Sequence, residues 1–226
     1  MRYAATAASH VPAVEVLSPD SGLGGASLLP SQVTARSYLG AMVLHRGGLL
    51  VDDGWLRVFG PPPVDRAAHG VPSLARLNQF PGTFAPAWRA GTGLVVAHDV
   101  LGGVFALNGE DPVGAGRPGV LREVVYFAPD SLRCEALGVG HSAWMAWPAS
   151  GAGGDFSADL RWPGLQDEVR VLNGDQGLSM FPPLWPAEAR QALSEASRRA
   201  GPKPDAGVTW HPPRRTSMGF PVSPHD

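Results

Sequence analysis

The sequence predicts an α+β fold: an antiparallel β-meander sheet of about five strands backed by short helices, followed by an irregular, proline-rich C-terminal tail. The sheet and helices are predicted because the spacing of apolar residues changes from a helical period near residue 40 to a period of two from residue 47. The tail is predicted because nine of the 23 prolines fall after residue 181, and proline cannot donate to a β-ladder.

The first clear helix is predicted within residues 31–46. Tyr38, Leu39, Met42 and Val43 recur at the spacing of one helix face. The segment GGLLVDDGWLRVFG at 47–60 then places two short apolar runs around an Asp-Gly dipeptide, which favours a type I′ turn. The sequence therefore predicts a helix followed directly by a β-hairpin.

The centre of the chain predicts the rest of the meander. Residues 94–109 read LVVAHDVLGGVFALNG, with two β-rich runs around a Gly-Gly turn, and this is the strongest hairpin signal in the sequence. A further strand, EVVYF at 123–127, is stopped by Pro129. Between the two hairpins, residues 61–91 predict a long loop with a short helix near Ser73 to Asn78.

The last third predicts short helices. Ser142 is expected to cap a helix that carries Trp144 and Trp147 and ends at Pro148. A second helix is expected over 164–172, where apolar residues recur at helical spacing behind two acidic residues.

Three segments are expected along the chain. Residues 1–30 form a partly extended N-terminal extension, residues 31–186 form a single α+β domain, and residues 187–226 form a helical and then irregular proline-rich tail.

Composition excludes several classes of function. The formal net charge is −2, so the cationic surface that nucleic acids require is not expected. No apolar stretch reaches the roughly 20 residues of a membrane helix. Cys134 is the single cysteine, which excludes an intramolecular disulfide and suits a reducing compartment, so we expect a cytoplasmic protein.

No catalytic signature is found in the sequence. It contains no GxSxG, HExxH, P-loop or GxGxxG motif, and neither a catalytic residue, a metal site nor a cofactor is predicted. Scattered residues leave one enzymatic alternative open, with a small-molecule site assembled from His98, Asp99, Asp130 and Asp175. A polar turn is the simpler interpretation of the adjacent pair His98-Asp99.

The tryptophans favour a different kind of site. Trp144 and Trp147 lie three residues apart on one short predicted helix, so they share similar sides of it. Tryptophan is enriched in binding hot spots, and the acidic Asp155 and Asp159 follow closely enough to form a polar rim. These four residues form the predicted partner-binding surface, while burial of both rings in the core is the alternative.

Several ordered segments resemble a known family. They are VEVL (14–17), QVTARSYLGA (32–41), GGLLVDDGWLRVFG (47–60), LVVAHDVLGGVFALNG (94–109), VYFAPDSL (125–132), DLRWPG (159–164) and GDQG with PLWP (174–186). Together they resemble domain-of-unknown-function family 2625, a family of uncharacterised bacterial proteins. The resemblance extends from residue 14 to about residue 199.

The chain departs from that family at specific positions. The family pattern has an aromatic residue where Cys134 and His141 stand and a helix former where Pro148 stands. It also begins with a helix that residues 1–13 do not resemble, and the tail after Arg199 does not resemble it either. A truncated start and a frame-shifted or divergent end would account for the two terminal departures.

More distantly, the order of elements is similar to the SUKH superfamily. That resemblance implies an antiparallel sheet backed by helices, and its bacterial members are largely immunity proteins that bind toxin partners. Likeness of fold alone carries little information about function. The sequence therefore leaves two hypotheses: a non-catalytic protein-binding module, which we favour, and a small-molecule enzyme with the scattered site.

Overall fold

A seven-stranded antiparallel sheet organises the described part of the chain. The computed structural model describes residues 12–20, 23–31, 33–62, 70–88, 93–150, 152–180, 184 and 205–209. Neighbouring strands in the sheet are consecutive in the sequence, which makes it an open meander. Its strands are β1 (Val14–Leu17), β2 (Gly48–Val51), β3 (Leu56–Phe59), β4 (Gly93–Asp99), β5 (Val104–Asn108), β6 (Glu123–Ala128) and β7 (Arg133–Gly140).

Short helices accompany the sheet, so the predicted α+β class is confirmed. Two 3₁₀ turns, Pro148–Ser150 and Ala158–Leu160, flank one of these helices. The helices are α1 (Leu23–Ser31), α2 (Tyr38–His45), α3 (Leu74–Leu77), α4 (His141–Ala146), α5 (Ala152–Phe156) and α6 (Leu165–Arg170).

The described sheet has seven strands where the sequence predicts about five. β1 pairs with β2, so the extended segment at 14–17 joins the sheet. β7 follows β6 and has no counterpart in the prediction, because most of its residues are exposed and it lacks alternating apolar residues. An edge strand of this kind gives no period-two signal.

A second, two-stranded sheet lies near the C-terminus. β8 (Gln176–Ser179) pairs antiparallel with β9 (Asp205–Thr209). The strand β9 falls inside the segment for which the sequence predicts an irregular tail, so that prediction is wrong at 205–209. The rest of the predicted tail, and the helical stretch before it, lie outside the described residues.

The predicted turn at Asp53-Gly54 is confirmed between β2 and β3. The amide of Trp55 donates to the carbonyl of Asp52, and the central residues Asp53 and Gly54 have positive φ, 58° and 93°, as in a type I′ turn. A second, overlapping turn precedes it, in which the amide of Gly54 donates to the carbonyl of Val51 and Asp52 has a φ of 54°. In this turn the carboxylate of Asp52 pairs with Arg161 and the carboxylate of Asp53 pairs with Arg170.

The helix α4, which contains Trp144 and is followed by Trp147, begins at a different residue than predicted. Its N-cap residue is Gly140, which makes no side-chain cap, so the predicted capping by Ser142 is wrong. The strand β7 runs directly into α4 and fixes where the helix starts, so no capping side chain sets its first turn. The other predicted helices near 73–78 and 164–172 are confirmed as α3 and α6.

Candidate functional site

A cavity of about 500 Å³ lies between one face of the sheet and the segment from α4 to α6. Directly opposite residues of an antiparallel pair share a face, so the pairs Leu56–Asp99 and Phe105–Tyr126 place four sheet residues on the cavity side. The lining consists of Pro12, Val51, Asp52, Trp55, Leu56, Asp99, Phe105, Tyr126, Trp147, Pro148, Ser150, Gly153, Gly154, Asp155, Phe156, Ser157, Ala158, Arg161 and Gln166.

Small residues in α5 leave this space open. Gly153 and Gly154 both line the cavity. A Cβ added at Gly154 would meet no atom within 4 Å, and one added at Gly153 would reach only ordinary contact with Trp147 and Pro148. Bulkier side chains at these positions would therefore occupy open space, which explains why a cavity remains beside a closely packed sheet.

Aromatic rings form one wall of the cavity. The ring centroid of Phe105 lies 4.6 Å from that of Tyr126 and 6.1 Å from that of Trp147. Phe156 lies 5.0 Å from both Tyr126 and Trp147 with its plane tilted by more than 70° to each. These separations are those of stabilising aromatic pairs, so the four rings hold one another in place.

Asp99 supplies a buried carboxylate to the lining. Its Oδ1 accepts hydrogen bonds from the amides of Leu101 (2.9 Å) and Gly103 (2.8 Å), and its Oδ2 accepts one from the Tyr126 hydroxyl (2.8 Å). Burial raises the pKa of Asp99, and these hydrogen bonds and the charge of Arg57 oppose the rise. The pKa of Tyr126 is raised far above its ordinary value, mainly by burial and by the neighbouring carboxylate.

A second polar group lies on the other side of the cavity. Arg161 forms an ion pair with Asp52 and donates from Nε to the Ser157 hydroxyl at 2.9 Å. Its guanidinium carbon lies 4.6 Å from the ring centroid of Trp55, which is a cation–π arrangement. Gln166 donates weakly to the other oxygen of Asp52, at 3.5 Å. The guanidinium is therefore held by contacts from three different segments.

The four predicted partner-binding residues do not lie in one place: one is in the core, two line the cavity and one lies outside both. Trp144 is 1% exposed and packs 5.2 Å from Phe105, so it belongs to the core. Trp147 is half-buried and lines the cavity, as does the exposed Asp155. Asp159 is exposed and lies outside the lining. Two of the four residues therefore meet in one cavity.

The residues of the alternative enzymatic site lie on both faces of the sheet. Asp99 lines the cavity, and Asp130 acts electrostatically on Tyr126 from the turn after β6. His98 pairs with Arg57 on the opposite face and is fully buried, where burial and the charge of Arg57 hold its pKa well below the ordinary value. Asp175 interacts electrostatically with Arg57.

The described residues show neither a metal centre nor a membrane-spanning helix. They contain no group of three His, Cys, Asp or Glu side chains placed to hold a metal ion. Cys134 is a free, partly buried thiol whose pKa is raised by burial. None of the helices in the described ranges is both long and apolar enough to cross a membrane.

Most polar residues of the cavity lining were not predicted from the sequence. Asp52 and Arg161 are separated by 109 residues, and nothing in local spacing relates them. Both lie inside segments that carry the family resemblance, GGLLVDDGWLRVFG and DLRWPG. The presence of both residues in segments that resemble the family is the signal that could have indicated a common site.

Comparisons with known proteins identify relatives in two bacteria. The chain is 36% identical over 174 residues to the uncharacterized protein YbfG of Escherichia coli (strain K12), a match that covers 76% of this chain and 73% of the relative. It is 27% identical over 185 residues to an uncharacterized protein of Haemophilus influenzae (strain Rd), covering 82% of this chain and 76% of the relative. No solved structure matches the chain. A family model matches residues 3–202, and the chain therefore belongs to the family described as Protein of unknown function DUF2625.

Proposed function

We propose that this protein is a non-catalytic binding module that takes part of its ligand into the cavity beside α5. The observation that carries the proposal is a cavity of about 500 Å³ that combines a wall of four aromatic rings with hydrogen-bonded polar groups. Ligand sites are commonly concave, largely apolar, and about 300–1,000 Å³ in volume, with a few polar groups that fix orientation.

The polar groups in the lining are held before any ligand arrives. Asp99 is fixed by three hydrogen bonds, and Arg161 is fixed by Asp52, Ser157 and the ring of Trp55. A ligand that uses them would not need to order these side chains, which lowers the entropic cost of binding.

The proposed partner is a protein. Trp147 and Asp155, two residues of the predicted partner-binding surface, line the cavity, which supports a protein partner that inserts a side chain there. The resemblance to the SUKH superfamily extends this proposal to an immunity-type role in the cytoplasm, in which the partner is a toxin.

The enzymatic alternative has weaker support. It requires at least three of His98, Asp99, Asp130 and Asp175 to gather in one polar pocket, and Asp99 alone among these four belongs to the described lining. The carboxylate of Asp99 is also held by three donors rather than by a base or nucleophile partner.

A fragment screen by ligand-observed NMR tests the proposal. We expect fragments that bind the wild-type protein to lose binding in Gly154→Leu, which fills open space at the cavity, and in Trp147→Leu, which removes part of its wall. Glu110→Gln, an exposed change outside the lining, is the control and should retain them. Fragments that bind all four proteins equally would contradict the proposal, provided that the melting curves show each variant to be folded.

A further inference from the structure

The described lining of the cavity carries more acidic than basic side chains. Asp52, Asp99 and Asp155 are acidic, and Arg161 is basic. Since Asp52 and Arg161 neutralise each other in an ion pair, the carboxylates of Asp99 and Asp155 remain to set the charge that a ligand meets. An anionic ligand would approach two like charges, whereas a cation would approach two opposite charges.

The arginine in the lining is occupied by protein groups. Its guanidinium contacts Asp52, Ser157 and Trp55, so an anion would have to displace existing partners to use it. This arrangement disfavours recognition of a carboxylate or phosphate at Arg161.

Asp99 favours a cation for a second reason. The residue is 4% exposed, and the three groups that donate hydrogen bonds to its carboxylate, two amides and a hydroxyl, are all uncharged. A buried charge is costly unless an opposite charge compensates it. Arg57 contributes a favourable charge interaction, but burial outweighs it and the pKa of the carboxyl stays raised.

The aromatic wall suits the same ligand. Phe105, Tyr126, Trp147 and Phe156 stand beside Asp99 in one lining. Aromatic rings attract cations through their electron-rich faces, and the attraction is larger where water is excluded. Arg161 over Trp55 is already one such contact within this cavity.

We propose that the cavity selects a positively charged organic group, an ammonium or guanidinium, bound between the aromatic wall and the carboxylate of Asp99. This inference rests on the proposed function, because it names the chemistry of the group that the binding module accepts. The group belongs either to a free small molecule or to a lysine or arginine side chain of a protein partner.

Calorimetric titration of the full chain with two matched pairs of probes tests the inference. Choline and its uncharged analogue 3,3-dimethylbutan-1-ol represent a free organic cation. Nα-acetyl-arginine amide and Nα-acetyl-citrulline amide represent a side chain with and without its charge. We expect at least one cation to bind about tenfold more tightly than its neutral counterpart, a difference of about 1.4 kcal/mol. The pair that shows the preference identifies the source of the group.

The variant Asp99→Asn separates charge from shape. The asparagine Oδ1 can still accept from the amides of Leu101 and Gly103, and its Nδ2 can donate to the Tyr126 oxygen, so the local fold should persist. We expect the preference for the cation to fall to about threefold or less in this variant. Glu110→Gln also removes one negative charge, at an exposed position outside the lining, and should leave the preference unchanged.

Three outcomes would overturn the inference in distinguishable ways. If neutral probes bind as tightly as the cations and lose binding in Gly154→Leu, selection of a cation is wrong while binding in the cavity stands. If no cation binds with a Kd below about 1 mM, selection of a cation is also wrong, and the fragment screen decides the proposed function by itself. Cation binding that Gly154→Leu leaves unchanged would overturn both.

Discussion

The hydroxyl of Tyr126 in β6 donates a 2.8 Å hydrogen bond to Oδ2 of Asp99 at the end of β4, across the intervening strand β5. Gly103, which immediately precedes β5, lies beneath this bond. A Cβ at that position would fall on both the Asp99 carboxylate and the Tyr126 hydroxyl. The absence of a side chain at Gly103 therefore allows the Asp99 carboxylate and the Tyr126 hydroxyl to meet at the cavity.

Replacement of Gly103 by alanine should destabilise the protein. The added methyl group would force Asp99 and Tyr126 apart and break a buried hydrogen bond to a carboxylate. Overpacking and loss of such a bond predict a decrease of about 2–3 kcal/mol in the free energy of unfolding, measured by urea denaturation. Gly82→Ala is the control, because a Cβ there meets no atom within 4 Å and should change the free energy by less than about 0.5 kcal/mol. Equal effects of the two substitutions would contradict the role assigned to Gly103.

The neighbouring residues Asp52 and Asp53 should differ in their contribution to stability. Asp52 pairs with Arg161 where the side chains are 7% and 21% exposed, while Asp53 pairs with Arg170 where they are 32% and 56% exposed. Asp52→Asn should lower the free energy of unfolding by about 2 kcal/mol because it removes one charge of a largely buried ion pair. Asp53→Asn should cost much less, because solvent screens the exposed pair. Asparagine tolerates the positive φ at both positions, so chemical denaturation of the two variants compares the ion pairs directly.

Stability should fall in acid partly because of His141. Burial lowers the pKa of His141 from 6.5 to about 4, so the unfolded chain binds this proton more readily than the folded chain. The contribution of the neutral ring is complete above pH 6.5 and is lost as the pH falls to about 4, by about 2–3 kcal/mol. His141→Phe keeps a ring beside Tyr38 and Trp144 and should lose less stability over that window, as measured by melting curves at several pH values. Parallel pH profiles of the two proteins would refute the prediction.

Alanine substitution of Trp144 should lower the stability of the protein more than alanine substitution of Trp147. Trp144 is buried in the core, and its replacement should cost about 3–5 kcal/mol of stability. Trp147 is half-buried at the cavity, so its replacement should cost about 1–2 kcal/mol and should reduce ligand binding. Melting curves combined with the fragment screen measure both effects. Equal losses of stability with binding unchanged in Trp147→Ala would show that both rings act only in the core.

Two hairpins with glycine in their turns, and the strand that ends before Pro129, could be predicted from the sequence. The patterns that indicate them extend over only a few residues. Alternating apolar residues and turn dipeptides act within a few residues, and so do the helical repeats of α2 and α6. The strand β7 was not predictable, because its residues are largely exposed and pairing with β6 alone fixes it. The N-cap of α4 also differs from the predicted Ser142, because the preceding strand sets where that helix begins.

The sequence by itself determined the α+β class, the order of the central strands and the family, and it pointed to Trp147, Asp155 and Asp99 as candidate site residues. Only the tertiary structure decided that these three share a cavity with Arg161 and Tyr126. The physical reason is the range of the interactions. Hydrogen bonds, ion pairs and ring contacts in the cavity join residues as much as 114 positions apart, and such contacts leave no periodic pattern in the sequence.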